Sequence, residues 1–483
     1  MRRHKLRQAL VISGLVLCNI SEGFIVGQMS GMIDALRAED SPIPLTDDDL
    51  SWIASVQNLT CICGFAILGV TCEYFGRRKA VVLLNIPVLA TWIILYYVQD
   101  KTILLISRVI IGIFFGGILI LSYINVGEYI SPKSRTFYTN LVSGVGPLTG
   151  IMLGHILSTV INWRYVALIG IVPTALSILF PFFWYESPSW LASKGLYEEC
   201  ENAFTALRGS DYAARMELKS LLEFEKNKQR THLIHNRNTI YSKILKALKY
   251  KQFWKVFTLG AVDMIYRIAS GRLLFSTYAI TLLQDLTGQK NIVLFTFSVD
   301  IFTIIGALLS CFLVTKFKLR QLALICGVIS NGHLVLLSGF IYYLPTSNYY
   351  FSCLKVFILA SYFVILNAGP FAALESLISE IFPLETKSFS LFILGSMSSF
   401  LNFLSIKLAP NMFTSMGYHG VFLFNAVIVG LCLLYLWAFM PETKGRTLLE
   451  IEAFFRTGRF EDIDAKRNNK LLSSESNFIP HEK

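Results

Sequence analysis

Charged residues are scarce in this chain: Asp, Glu, Lys and Arg together make up 16% of its 483 residues. Soluble domains carry roughly a quarter. Hydrophobic residues instead make up 54%, and the mean hydropathy is +0.55. Apolar runs of about 20 residues, the length that crosses a bilayer core as a helix, recur along the chain. Because lipid offers the backbone no hydrogen-bond partners, such runs are expected to be helical. The composition excludes a soluble domain and predicts an all-α polytopic membrane protein.

Residues that carry enzyme, metal or nucleic-acid chemistry form no recognisable pattern. Eight of the nine cysteines lie in apolar runs, Cys200 lies in a polar segment, and no disulfide or metal spacing connects them. The seven histidines are scattered. No nucleophile stands beside a base, and no basic stripe is interleaved with aromatics. We therefore expect no enzymatic activity, no cofactor, no metal site and no nucleic-acid partner.

The apolar segments divide evenly between two halves of the chain. We expect six-helix bundles at residues 1–184 and 251–440, an insert at 185–250 and a tail at 441–483. Apolar residues recur at helical spacing in the insert, which predicts short amphipathic helices beneath the membrane. The twelve predicted membrane helices, called spans 1 to 12, lie roughly at 8–30, 51–72, 80–98, 103–126, 138–160, 165–184, 253–284, 292–315, 321–344, 351–383, 388–409 and 419–440.

Basic residues mark one side of the predicted membrane. The acid-rich segment between Asp34 and Asp49 lies on the other side. Lys and Arg concentrate in cytoplasmic loops. We therefore expect both termini in the cytosol, in a multi-pass protein of the plasma membrane. The residues that set this orientation follow spans 2, 4 and 8: Arg77, Arg78, Lys79, Lys133, Arg135, Lys316, Lys318 and Arg320.

Charged motifs recur in the two halves. After span 4 stands Glu128-Tyr-Ile-Ser-Pro-Lys-Ser-Arg135, and after span 10 stands Glu380-Ile-Phe-Pro-Leu-Glu-Thr-Lys387. Span 6 ends in Tyr185-Glu186-Ser187-Pro188, and span 12 ends in Pro441-Glu442-Thr443-Lys444-Gly445-Arg446. Parallel six-span repeats are the plan of the major facilitator superfamily.

The motifs resemble those of one branch of that superfamily. Gly69-x-x-x-Glu73-x-x-Gly76-Arg77-Arg78 is similar to the signature between spans 2 and 3 of the superfamily. Arg108-x-x-x-Gly112, Gly127-Glu128-x-x-Ser131-Pro132, the Glu186 motif and the Glu442 motif resemble those of the sugar porter family. Over about residues 8–455 the chain is similar to insect facilitated trehalose or glucose transporters. The resemblance implies two six-helix bundles that expose a solute alternately to either side.

In such a carrier the charged motifs are expected to form a cytoplasmic gate, since ion pairs can bias two states that differ by a few kcal/mol. Alternatively they only anchor helix ends. Lys316 stands where the family usually has an acid, so we expect the second cluster to be paired differently, with Glu380 or Glu385. The first cluster comprises Arg77, Arg78, Glu128, Arg135 and Glu186, and the second comprises Arg320, Glu380, Lys387, Glu442 and Arg446.

The resemblance also implies sugar ligands, and most of these are replaced. Sugar porters bind hydroxyls through amides of spans 5, 7 and 8 and stack the sugar on a Trp of span 10. Local alignment puts those positions at the candidate cavity residues Gly144, Arg267, Ile268, Leu273, Ile304 and Glu375. We expect an ion pair between Arg267 and Glu375, and we expect Arg272 to reach Asp300 or the bundle interface. Structural pairing, binding of a polar or charged solute and degraded function all stay open, since ionisable residues inside spans are costly and functional by default.

Proton-linked members of the family pair an Asp of span 1 with an Arg of span 4. Here the Asp position is Ile25, whereas Arg108 is present and Glu22 lies one turn away. Glu22 and Arg108 are therefore the coupling candidates. The predicted function is secondary transport of a small polar solute, a hexose or trehalose, by facilitated diffusion. Proton symport of a sugar or charged solute, and a non-transporting sensor, are the alternatives. We expect a monomer whose partners are the solute and the bilayer.

Overall fold

The computed structural model describes residues 2–38, 41–234, 248–346, 348–382, 387–446 and 448–457, and every regular element in these ranges is helical. The first half contains α1 (Arg2–Arg37), α2 (Asp47–Tyr97), α3 (Lys101–Tyr129), α4 (Pro132–Thr139), α5 (Gly146–Val160) and α6 (Trp163–Leu179). A π-helical stretch, Asn140–Val145, joins α4 to α5, and a 3₁₀ turn, Phe180–Phe183, follows α6.

The insert and the second half continue the helical pattern. The insert carries α7 (Pro188–Ser193), α8 (Tyr197–Arg208) and α9 (Tyr212–Ile234). The second half contains α10 (Lys251–Ala269), α11 (Arg272–Thr277), α12 (Ala279–Thr287), α13 (Val293–Lys316), α14 (Leu319–Tyr343), α15 (Tyr349–Leu366), α16 (Ala372–Ile381) and α17 (Lys387–Phe439), and is followed by α18 (Leu448–Thr457). A π-helical stretch, Asn367–Phe371, joins α15 to α16.

Nine helices in the described part of the chain are long and apolar enough to cross a membrane. Two of them, α2 and α17, have 51 and 53 residues, or roughly 75–80 Å, more than twice a bilayer core. Each contains one glycine with non-helical backbone angles, Gly76 with φ 84° and Gly417 with φ 67°. Dividing both helices there and adding the segment α10–α12 is consistent with the twelve predicted spans.

The chain turns at Gly76 without a loop. A positive φ is accessible to glycine but strained for other residues. A Cβ at this position would also lie 2.7 Å from Glu186 Oε2. The predicted loop between spans 2 and 3 is therefore a single-residue break that depends on glycine.

Spans 7 and 10 are interrupted. Gly271, in the left-handed conformation with φ 73°, ends α10, and α11 and α12 complete the segment predicted as one span. Span 10 passes through the π-helical stretch that contains Gly369 and Pro370. Proline lacks the N–H that an α-helix needs there, so the helix widens locally rather than ending.

Helices of each half pack mainly with one another. In the first half, α1 packs against α5 and α6, and α2 against α3 and α6; in the second, α17 packs against α10 and α14, and α15 against α13 and α14. The halves meet mainly through α2 with α17 and α5 with α13, and also through α4 with α13 and through α1 with α11 and α12.

The insert packs beneath the first half. Its three helices share an apolar cluster of Leu191, Ala192, Cys200, Ala203, Phe204 and Leu218. Arg208 Nη2 donates to the carbonyls of Glu128 at 3.2 Å and Ile130 at 3.0 Å. The insert is therefore hydrogen-bonded to the end of α3. Residues 235–247 of the predicted insert and 458–483 of the predicted tail lie outside the described residues.

Close packing of α1 on α5 predicts a large effect of a small substitution. A Cβ at Gly27 would lie 2.3 Å from the carbonyl oxygen of Ile151, so Gly27→Ala should force the helices apart at a cost of about 1–3 kcal/mol. The measurement is thermal unfolding in detergent, where the midpoint should fall by several degrees. Gly339→Ala is the control, because no described atom lies within 4 Å of its Cβ. A midpoint that falls equally in both variants would contradict the packing.

Candidate functional site

An ion pair fixes the helix break in the first half. Arg77 Nη2 lies 2.7 Å from Glu128 Oε1, and Arg77 Nε donates to both oxygens of Glu128 at 2.9 and 3.1 Å. The hydroxyl of Ser187 donates to the other side of the same carboxylate. The two side chains are 19% and 17% exposed, so this forked pair is shielded and directional.

Glu186 caps the helical stretch that begins after Gly76. Its Oε1 accepts the backbone N–H groups of Arg77 at 2.8 Å, Arg78 at 3.1 Å and Ser187 at 2.9 Å. The first amides of a helix lack partners within the helix and carry partial positive charge. The carboxylate therefore satisfies amides that would otherwise have no partner at the start of the helical stretch. The side chain of Arg78 donates to the carbonyl of Trp184 at 3.0 Å.

Of the predicted first cluster, Arg77, Arg78, Glu128 and Glu186 come together. Arg135 is placed differently, because its Nη2 donates to the carbonyl of Gly127 at 2.9 Å rather than to a carboxylate of the cluster. Arg135 therefore ties α4 to the end of α3 through the backbone.

The second cluster repeats the capping contact. Glu442 accepts the backbone N–H groups of Leu319, Arg320 and Lys444, each at 3.1 Å. Arg320 Nη2 donates to the carbonyl of Trp437 at 2.7 Å, as Arg78 does to Trp184. Glu442 thus caps the start of α14, as Glu186 caps the helical stretch after Gly76.

The other members of the second cluster lie elsewhere. Arg446 contacts Glu450 at 3.3 Å. Lys316, the departure from the family, is exposed at the end of α13, and Lys444 Nζ donates to the carbonyls of Thr315 and Phe317. Glu385, and the side chains of Glu380 and Lys387, lie outside the described part of the chain, so the expected pairing of Lys316 with an acid of that segment stays a prediction.

We call the face that carries Arg77, Glu128, Glu186, Arg320 and Glu442 the motif face. The polar contacts described above for these five residues each join groups of one half or of the adjoining insert. The halves are therefore connected by other residues.

Contacts across the other membrane face, called the opposite face, do join the two halves. Lys407 Nζ of α17 lies 2.6 Å from Asp48 Oδ1 and 2.8 Å from Ser51 Oγ of α2. The backbone N–H of Ile280 donates to Ser30 Oγ at 2.9 Å. Deeper in the protein, His155 of α5 lies 3.0 Å from Asp300 of α13. The halves are drawn together at the opposite face.

The centre of the second half contains the predicted ion pair. Arg267 Nη1 lies 3.7 Å from Glu375 Oε2, and Arg267 Nε lies 3.2 Å from Asp263 Oδ1. Arg267 Nη2 also donates to the carbonyl of Phe371 at 3.2 Å. Tyr123 of α3 lies close enough to Glu375 to interact with it across the two halves. The expected pairing of Arg267 with Glu375 is confirmed, and Asp263, one turn before Arg267, completes it.

Arg272 does not reach Asp300, so that part of the expectation was wrong. Arg272 Nη1 donates to Asn367 Oδ1 at 3.0 Å, and its guanidinium lies 5.0 Å from the ring centroid of Phe371. The break at Gly271 rotates the following turn away from the axis of α10, which an unbroken helix would not do. Arg272 therefore faces the π-helical stretch of span 10.

The uncharged cavity candidates have two environments. A Cβ at Gly144 would meet no described atom within 4 Å, which leaves space beside the π-helical stretch, and Ile268 is partly exposed. Ile304 is buried and Leu273 partly buried in an apolar cluster with Val26, Leu148, Ile151 and Ala307. Because that cluster contains residues of both halves, Leu273 and Ile304 contribute to an apolar contact between the halves.

The coupling candidates are not brought together. Arg108 is fully buried, and its Nη2 contacts Gln28 Oε1 at 3.0 Å and Met32 Sδ at 3.1 Å. Glu22 is also buried, and its Oε1 has no partner among the described atoms. Six residues of helix separate Glu22 from Gln28, a rise of about 9 Å. A Glu22–Arg108 pair is therefore absent in this arrangement of the described residues.

Sequence reasoning missed His155. Its ring is 2% exposed, and both nitrogens are engaged, Nδ1 with Asp300 and Nε2 with the carbonyl of Ser276 at 2.9 Å. The available signal was a histidine inside a predicted span, since ionisable residues there usually face a partner.

The forked pair predicts a difference between neighbouring arginines. Arg77→Lys keeps the charge but loses the two-pronged contact with Glu128, so it should cost about 1–2 kcal/mol. Arg78→Lys is the control, because a lysine can still donate to the carbonyl of Trp184. Thermal unfolding in detergent should show a lower midpoint for Arg77→Lys alone. Equal losses in both variants would contradict the role of the fork.

Comparisons with known proteins identify the family of this chain. The family model described as "Sugar (and other) transporter" matches residues 9–455. Sugar transporter ERD6-like 6 of Arabidopsis thaliana is 27% identical over 449 residues, which cover 90% of this chain and 88% of that protein. Facilitated trehalose transporter Tret1 of Drosophila virilis is 24% identical over 472 residues, which cover 96% of this chain and 50% of that protein. The chain thus spans about half the length of this Drosophila relative.

A solved structure has the same fold. The proton:xylose symporter XylE, a protein of the major facilitator superfamily, superposes with a TM-score of 0.75 at 19% identity, over 94% of this chain and 100% of that chain. At this identity the likeness shows the fold alone. The match of the family model over nearly the whole chain shows that the protein belongs to the sugar (and other) transporter family, and its fold is that of this major facilitator superfamily structure.

Proposed function

We propose that the protein is a secondary transporter that moves a sugar, a hexose or trehalose, across a membrane by alternating access, without chemical change to the solute. The observation that carries the proposal is the placement of polar bonds between the halves. Bonds from Lys407, Ser30 and His155 join the halves at the opposite face, while the polar contacts given above for Arg77, Glu128, Glu186, Arg320 and Glu442 do not cross between the halves. Nearer the motif face the halves meet through apolar side chains such as Phe137 and Phe312. Polar bonds concentrated at one face fit one of the two working states of a carrier.

The chemistry of the centre supports a polyol solute. Glu375 Oε1 has no hydrogen-bond partner among the described atoms and can accept a hydroxyl proton. Arg272, held by the neutral Asn367 rather than by a carboxylate, retains N–H groups that can donate. Phe371 lies between the two guanidinium groups and offers an apolar surface. Sugar hydroxyls both donate and accept, so they match this set although the family's amides are replaced.

The charge distribution supports an orientation. The motif face carries the basic loops, which by the positive-inside rule belong in the cytosol. Both termini would then be cytosolic, the opposite face extracellular and the described state open toward the cytosol. The plasma membrane and a monomeric carrier are part of the same proposal, because a single chain supplies both halves of the site.

In this proposal the motif clusters act as rigid caps. Glu186 and Glu442 hold the helix ends of their own half, and the two capped units close against each other when the opposite face opens. Facilitated diffusion needs no further element, since the solute gradient alone drives the exchange of states.

Uptake measurements test the site. Glu375→Gln keeps the size of the side chain but removes the charge that faces Arg267, and loss of a charged hydrogen bond to the solute costs about 1.5–3 kcal/mol. Uptake of labelled glucose or trehalose into cells or proteoliposomes should fall about 10- to 100-fold. Glu223→Gln is the control, because Glu223 lies on the insert with its side chain 64% exposed.

Surface expression must be equal for both variants. Unchanged sugar uptake in Glu375→Gln would remove this residue from the site. Absence of flux for every sugar tested, with the wild-type protein at the surface, would overturn the proposal of sugar transport.

A further inference from the structure

His155 and Asp300 form a buried contact outside the sugar site. His155 lies five residues before the end of α5 and Asp300 seven residues after the start of α13, so both are in the part of the membrane nearer the opposite face. Nδ1 of His155 lies 3.0 Å from Asp300 Oδ2, and the side chains are 2% and 11% exposed. The two helices belong to different halves, so the contact exists only while the opposite face is closed.

Donor and acceptor counting determines how many protons the pair holds. The second ring nitrogen, Nε2, lies 2.9 Å from the carbonyl oxygen of Ser276. A carbonyl only accepts, so Nε2 must carry a hydrogen. The contact between Nδ1 and Oδ2 needs another hydrogen, on the ring or on the carboxyl group. A neutral ring with an ionised carboxylate would instead oppose two lone pairs at 3.0 Å.

The open state has a different proton count. When the halves separate, both side chains enter water, where His has a pKa near 6.5 and Asp near 3.9. Above about pH 6.5 the separated groups are a neutral imidazole and a carboxylate, one proton fewer than in the closed pair. Closure therefore takes up one proton, and it is favoured as the pH falls toward that value and weakened as the pH rises.

We propose that His155 and Asp300 form a proton-binding site, and that closure of the opposite face binds one proton there. The closing step of the transport cycle is then linked to the proton concentration on the open side. The proposal rests on alternating access as described under the proposed function, but it does not depend on the identity of the solute. The proton acceptor differs from the Glu22 and Arg108 pair that the sequence suggests.

The contacts described for the charged groups on the helices around the pair are with other residues. On α1, Gly27 and Gln28, both uncharged, pack against Gly154, the neighbour of His155. Among the described side chains, Asp300 is the one whose charge acts on His155. Other charged groups on the packed helices contact different partners: Lys355 contacts Leu344, Arg164 contacts Tyr96, Asp285 contacts Tyr418, Arg267 contacts Asp263 and Glu375, and Arg272 contacts Asn367. Two further acids lie on α1: Glu22, whose Oε1 has no hydrogen-bond partner among the described atoms, and Asp34, which lies beside Gln284 of α12.

The substitution Asp300→Asn should allow the contact with His155 to form without binding a proton. The amide N–H can donate to Nδ1 while Nε2 still donates to Ser276, so closure keeps both hydrogen bonds without an added proton. The readout is the distance between spin labels at Tyr97→Cys and Tyr350→Cys, two exposed positions of different halves at the opposite face, in the full chain with native cysteines replaced by serine. The ratio of closed to open molecules is measured without solute across the range above about pH 6.5.

Between about pH 6.5 and the pH at which the closed pair gives up its proton, the wild-type ratio should fall about tenfold for each pH unit, the slope of a single linked proton. In Asp300→Asn it should change by less than about twofold across the range, while Asp285→Asn, the control at the same face, should keep the wild-type slope. A wild-type ratio independent of pH, or a slope that survives Asp300→Asn, overturns the proposal.

One state can dominate at every pH. The comparison is then made in the Ser30→Ala background, which removes the bond to the Ile280 amide and favours opening. Because this experiment uses no solute, its failure is distinguishable from failure of sugar transport, which the Glu375→Gln uptake assay tests separately.

Discussion

The unpaired backbone amides at the starts of helices are the constraint on which the charged architecture depends. After Gly76 a new helical stretch begins, and its first N–H groups are satisfied by Glu186. At the start of α14, Glu442 does the same for Leu319 and Arg320. A buried amide left without a partner costs about 1–3 kcal/mol. The repeated acid at the end of each half is therefore a repeated solution to helix capping, and the ion pair of Arg77 with Glu128 is built around it.

Buried charges also need partners. Some of these partners lie within one half of the protein and others lie in the opposite half. Arg267 is balanced within the second half by Asp263 and Glu375, so these three can stay together while the halves move. His155 and Asp300 are partners from different halves, so their contact must break when the halves separate. Rigid contacts and separable contacts thus lie in different places, which is what rocking of two bundles requires.

Much of the fold could be predicted from local chemistry. Apolar run lengths placed the helices, and the glycine between spans 2 and 3 marks the break. Pairing of Arg267 with Glu375 was predictable because both replace residues that face one cavity in the family. Pairing of Arg272 was not, because the left-handed Gly271 changes the direction of the next turn. Glu22 and Arg108 stay apart for a similar reason, since the rotation of α1 presents Gln28 and Met32 to the arginine.

The sequence alone establishes that this chain is a bundle of membrane helices with paired charged motifs. The signals it uses are local in the chain: the length of apolar runs, glycines that interrupt helices, and charged residues that need a nearby partner. Which side chains meet across the two halves is settled by the folded arrangement. Contacts such as His155 with Asp300 join helices about 145 residues apart in the chain, and no local periodicity reports the angle at which two such helices meet. The face at which polar bonds join the halves, and the proton-binding site that we propose there, depend on that geometry.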